Sequence, residues 1–264
     1  MNVIDPGFGP IDQQLWHLLF LSVRVGAALL AAPMVGVLAV PPTLRALLAI
    51  VFALFVATWL PPVETPAMTS FAAVLALVQE VAIGAALGFV LQLAFAVPLI
   101  AAEQISGTMG LAIATSIDPA SGAQSGALGT YFGLLLTLLF YALGAHLIWF
   151  ELLIESYRIL PAGELHVGAE TAQALVGFMG MGLATAAAIA LPVVLVLLLV
   201  QVVTGVLSRS APALNLFALG LPAGTLAGII ALILVLPVLI EQFAALIEAA
   251  LGAAGKVIES AGPP

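Results

Sequence analysis

EQISGTMGLAIATSIDPASGAQSG, residues 103–126, stands mid-chain between two long apolar runs. It is rich in Gly, Ser and Thr and interrupted by Pro119, so it continues a helix poorly. It is also too apolar and too poor in charge for an ordinary solvated connection. Met109, Leu111, Ile113 and Ile117 alternate with small or polar residues, a period of two that predicts an extended segment packed on one side. Irregular backbone between membrane runs survives only where protein or a water-filled cavity surrounds it. The rest of the chain therefore reads as walls around this stretch.

Outward from it lie six apolar runs, at about 15–40, 44–60, 71–101, 127–154, 174–207 and 214–251. The chain is 64% hydrophobic and 7% charged over 264 residues, with a mean hydropathy of +1.29. A soluble domain carries about 25% charged residues, so a water-exposed globule is excluded. The runs are continuous rather than alternating over short strands, which points to an all-α membrane protein of about six long helices. Several runs exceed the ~20 residues that a bilayer needs. Pro98, Pro192, Pro222 and Pro237 lie in them or near their ends, where kinks are expected. The amino-terminal segment, 1–14, carries Asp5 and Asp12 and lacks the basic region of a cleavable signal, so the first run is expected to be retained.

A net charge of −8 argues against nucleic acid and against a polybasic lipid-binding surface. Arg45 and Arg209 fall on one side of six alternating spans and Arg158 and Lys256 on the other, so the basic residues leave orientation undecided. No cysteine is present, which removes disulfides and thiolate chemistry. His17, His146 and His166 are dispersed without metal-ligand spacing. No nucleophile elbow, phosphate-binding loop or paired-carboxylate motif appears. Neither an enzyme nor a cofactor or metal site is expected.

Ionisable groups within membrane runs are costly and draw attention to themselves. Arg24 lies inside the first run, and Glu80 and Glu103 bracket the third. These three are the candidate buried charges. Arg24 is read as an interfacial group, as a partner for a carboxylate, or as part of a path for protons or substrate. Glu151, Glu155 and Arg158 read as a charge cluster at a helix end. Small-residue spacing marks candidate packing faces at Gly84 and Gly88, at Gly129 and Gly133, and along Gly220, Gly224 and Gly228. Such faces serve packing within one chain or packing between subunits. A secondary transporter is the natural rival reading, but the two halves show no repeat and no matching pair of broken helices.

The segment from Gln79 to Glu164 resembles the FliR/SctT family, the R component of the flagellar and virulence type III export gate. The likeness is carried by VQEVAIGAALGFVLQLAF (78–95), AAEQISGTMGLAIATSIDPAS (101–121) and LFYALGAHLIWFELLIESYRILPAGE (139–164). RVGAALLAAPMVGVLAVPPTLRALLA (24–49) and LSRSAPALNLFALGLPAGTLAGI (207–229) agree with it as well. Together these cover about 15–251.

The resemblance implies a gate subunit rather than a self-contained transporter. Its partners would be P and Q subunits in a hetero-oligomer, with a B component at the cytoplasmic entrance. Its cargo would be unfolded flagellar proteins, and its place the basal body in the bacterial inner membrane. Residues 15–172 would be the P-like part, 173–251 a Q-like helical hairpin, and 252–264 a flexible tail. The segment matching 106–124 would be a plug loop in the pore. Its candidate residues are Ser106, Gly107, Thr108, Met109, Gly110, Leu111, Ala112, Ile113, Ala114, Thr115, Ser116, Ile117, Asp118, Pro119, Ala120, Ser121 and Gly122. Asp118-Pro119-Ala120-Ser121 favours the flagellar over the virulence branch. Flexible apolar side chains such as Met109 suit a seal that excludes water by dewetting.

Overall fold

Long uncharged runs satisfy their backbone polar groups in hydrocarbon by coiling into helices, and the described residues of this chain do so. The structure, a computed structural model, describes residues 11–33, 41–59, 66–68, 70–111, 126–161, 168–210 and 216–262. Among them are seven helices and no strand: α1 (Ile11–Ala31), α2 (Pro42–Trp59), α3 (Phe71–Met109), α4 (Ala127–Ala142), α5 (Ala145–Ile159), α6 (Ala169–Ser210) and α7 (Leu216–Ser260). Five are long and apolar enough to cross a membrane, or six spans if α4 and α5 count as one broken span. The all-α membrane fold is as expected.

Local structure departs from expectation in three places. The run 127–154 is broken at Leu143-Gly144, where Gly144 has φ +68°. That left-handed conformation is open to glycine at little cost, and α5 starts afresh beyond it. The third run continues eight residues past Ala101, to Met109. The expected flexible tail instead extends α7 to Ser260. Ala250, Ala254, Val257, Ile258 and Ala261 are buried along it, a helical spacing that gives the tail its own packed face.

Helices α6 and α7 have 42 and 45 residues, or about 63 and 68 Å at 1.5 Å per residue. A hydrocarbon slab is ~30 Å thick, so each helix either tilts steeply or projects beyond it. Pro98, Pro192, Pro222 and Pro237 lie within helices that continue past them.

The chain divides into two compact units. The first comprises Met1–Gln92, Gly144–Phe178 and Ala249–Pro264. Within it Phe20, Leu21, Ile83, Leu87, Trp149 and Leu153 are fully buried. The Trp149 indole donates to the Leu87 carbonyl at 3.4 Å, and the Trp16 indole to the Pro66 carbonyl at 2.9 Å. Phe52 stacks on Phe150 with ring centroids 4.7 Å apart. Such packed rings contribute both apolar area and oriented contact.

The second unit comprises Leu93–Leu143 and Met179–Glu248. Its core includes Phe132, Leu136, Phe140, Val193, Leu197 and Phe243. Phe132 meets Phe243 edge to face, and Phe95 meets Phe140 likewise, both at 5.6 Å between centroids. A Cβ on Gly182 would sit 3.0 Å from Val97 Cγ2, so α6 and α3 touch closely there.

Candidate functional site

Two constellations concentrate the polar chemistry of this apolar chain. In the first unit, Arg24 of α1 reaches Glu80 of α3, and neither side chain is exposed. Nε donates to Glu80 Oε2 at 2.7 Å and Nη2 to Oε1 at 2.9 Å. Nη1 donates to the Ser156 carbonyl at 2.8 Å and to Ser156 Oγ at 3.1 Å, and Nη2 also to the Leu160 carbonyl at 3.0 Å. A guanidinium has five N–H donors, and all five are thereby used. Tyr157 completes the enclosure. Its ring lies 4.1 Å from Arg24 Cζ, and its hydroxyl donates to the Leu21 carbonyl at 2.6 Å.

A buried ion pair holds only when its geometry is good and the remaining donors are satisfied. Here both conditions are met, by residues from α1, α3 and α5 and the residue that ends α5. The arrangement is closed. With its guanidinium fully bonded it acts as a clamp, and the reading of Arg24 as a carboxylate's partner is the one this geometry fits. Glu103 does not join it: the side chain is exposed on the far half of α3, where the neighbouring elements of this chain leave that face uncovered. Glu155 and Arg158 pair at 3.2 Å on the surface, as the helix-end cluster predicted.

The glycines of α3 lie beside this clamp. A Cβ on Gly84 would run into the carbonyl of Arg24, and one on Gly88 into that of Ala28. Helices α1 and α3 thus approach backbone to backbone at both positions, the approach that a small-xxx-small face allows. Arg24 is positioned by that contact and Glu80 is one turn away along the same helix.

The second constellation, in the second unit, is the carboxy-terminal end of α3. Ser106–Met109, expected to be irregular, forms its last turn. Ser106 Oγ bonds back to the Ala102 carbonyl at 2.6 Å and Thr108 Oγ1 to that of Ile105 at 2.8 Å, so these hydroxyls satisfy themselves within the helix. Gly110 has φ +82°. Its N–H bonds to the Gly107 carbonyl at 3.2 Å and that of Leu111 to the Ser106 carbonyl at 3.1 Å. This pair of bonds is a Schellman stop, for which glycine is the favoured residue. Ala112, Ile113, Ala114, Thr115, Ser116, Ile117, Asp118, Pro119, Ala120, Ser121 and Gly122 lie outside the described residues.

Two neighbours hold this helix end. Gln201 Nε2 of α6 donates to the Thr108 carbonyl at 2.9 Å, one of the carbonyls that a helix terminus leaves without an internal partner. The buried Met109 lies on the glycine face of α7. A Cβ on Gly224 would be 3.3 Å from the Met109 carbonyl oxygen, and one on Gly228 2.6 Å from its Cε. Gly220 and Gly133 have open space where a Cβ would be, and Gly129 is buried in α4. Sequence reasoning singled out neither Gln201, Ser156 nor Tyr157. For Gln201 a signal existed, as the single amide in an otherwise aliphatic stretch, LPVVLVLLLVQVVTGVL. Ser156 and Tyr157 carry none.

The family described as bacterial export proteins, family 1, matches residues 15–250. The chain is 34% identical over 229 residues to the flagellar biosynthetic protein FliR of Escherichia coli K12, covering 87% of this chain and 86% of that one. It is 35% identical over 222 residues to the protein of the same name from Pectobacterium carotovorum, covering 84% of each. A Bacillus subtilis relative of that name is 26% identical over 165 residues, 61% of this chain and 63% of its own. On a match of that extent, the chain belongs to the family of bacterial export proteins, family 1, the FliR/SctT family.

Proposed function

We propose that this chain is a subunit of a flagellar protein export gate in the bacterial inner membrane. The observation that carries the reading is near-full-length similarity to proteins named flagellar biosynthetic protein FliR. In this reading the chain joins P and Q subunits around a channel for unfolded flagellar proteins, with a B component at the entrance. Residues 15–172 take the P-like place and 173–251 the Q-like place, and 106–122 is the plug. The chemistry of the site is compatible with passage rather than reaction. Its ion pair is saturated, Met109 packs on Gly224 and Gly228, and the Gln201 amide bonds to the Thr108 carbonyl.

A plug needs a fixed base and a free length. Gln201, Gly224 and Gly228 supply the base at Thr108 and Met109, and the Schellman stop at Gly110 releases the chain from the helix. Abundant exposed aliphatic side chains, such as Leu199, Ile233 and Leu234, leave surface for lipid and for neighbouring subunits. Purification from membranes in mild detergent, followed by mass determination, tests the reading. The expected result is a complex with other small membrane proteins. A chain that purifies alone and transports when reconstituted alone would be a transporter, and the gate reading would fall.

A further inference from the structure

Between α1 and α2, within the first unit, lies a groove of about 720 Å³ lined by Leu18, Leu19, Gly26 and Leu30 of α1 and by Arg45 and Ile50 of α2, among others. We infer that it is a phospholipid site, in which Arg45 binds the phosphodiester headgroup and the aliphatic lining holds an acyl chain. Among the described residues Arg45 Nε is buried without a hydrogen-bond partner, and Arg45 takes part in neither Arg24–Glu80 nor Arg158–Glu155, the ion pairs found there. A buried donor left unpaired is costly, and a guanidinium is shaped for phosphate oxygens. The remaining lining is almost wholly apolar, with Ser22 the other polar side chain.

That combination selects the occupant. An extended protein segment laid in such a groove brings backbone N–H and C=O groups that an aliphatic lining cannot pair. An acyl chain brings none. The lining of α1 runs from Leu15 to Leu30, about 22 Å at 1.5 Å per residue, a length comparable with one extended acyl chain. Arg45 lies in the first turn of the 18-residue apolar helix α2. A helix of that length roughly matches the hydrocarbon slab, so its first turn lies at headgroup depth. The lone cation and the apolar lining are complementary to the two ends of one phospholipid.

The inference rests on the membrane setting and not on the export role. The test uses the full chain, with whatever subunits accompany it, in detergent. Native mass spectrometry counts retained molecules after titration with phosphatidylglycerol or with diacylglycerol of the same acyl chains. One additional bound phosphatidylglycerol is expected for the native protein, with diacylglycerol bound about tenfold or more weakly through loss of a charge-assisted contact. Arg45→Gln should lose that molecule, Arg45→Lys should keep most of it, and Ala46→Phe should exclude it by filling the groove. Equal retention by native protein and Arg45→Gln would overturn the inference. So would a photocrosslinker at Leu19 that captures a protein chain instead of phospholipid.

Discussion

Arg24 and Glu80, 56 residues apart in the chain, meet through two hydrogen bonds of 2.7 and 2.9 Å with neither side chain exposed. Removing one member leaves the other buried and unpaired, which costs about 3–5 kcal/mol. Glu80→Ala is expected to lower the melting temperature of the detergent-solubilised protein and its level in membranes. Arg24→Met with Glu80→Met should recover part of that loss, because two apolar residues leave no orphan charge. If the double variant were less stable than Glu80→Ala, the pair would not be the unit of stabilisation.

The two glycines of α3 predict a contrast with a glycine of α4. Gly84→Ala places a Cβ against the Arg24 carbonyl, whereas the corresponding space at Gly133 is open. Overpacking typically costs about 1–3 kcal/mol, and here the obstacle is backbone. Gly84→Ala should lower the melting temperature and Gly133→Ala should leave it nearly unchanged. Equal effects at the two positions would contradict the close approach of α1 to α3.

Gln201→Leu removes the donor to the Thr108 carbonyl. A hydrogen bond of this kind contributes about 1 kcal/mol net, so the whole protein should stay folded while the end of α3 loosens. Hydrogen exchange should quicken at residues 107–111 and remain unchanged in α5. Protection unchanged at both sites would mean that Gln201 does not hold the helix end.

Gly228→Val drives a side chain into the space of Met109. If Met109 anchors the base of a plug, cells carrying this variant should show raised ion leak with the complex still assembled. Deleting residues 107–122 should raise it further. Background conductance in the deletion strain would remove the plug role, and normal assembly with no leak in Gly228→Val would confine Met109 to packing.

Much of the fold was legible before any coordinate, because membrane insertion responds to properties that each residue carries locally. Runs of Leu, Val, Ala and Ile without charge form helices wherever water is absent. Small residues at Gly84 and Gly88 mark close approach whatever lies opposite. The motif order placed the chain in its family for the same reason, since motifs are local strings.

Partnership was not legible. Arg24 stood out as a charge in an apolar run, but its partners are 56, 132 and 136 residues distant, and no periodicity encodes such pairings. Glu103 and Glu80 looked alike in sequence; which carboxylate is buried depends on which face of α3 meets α1. The break at Gly144 lay unseen within a run of unbroken hydropathy, because hydropathy does not report φ. The segment 103–126 is divided by the same distinction. Its composition determined that Ser106–Gly122 is poorly suited to a continuous span. Tertiary structure decided that its first turn is helix, since Gln201 and the glycines of α7 supply the carbonyl partner and the space for Met109 that local propensity lacks.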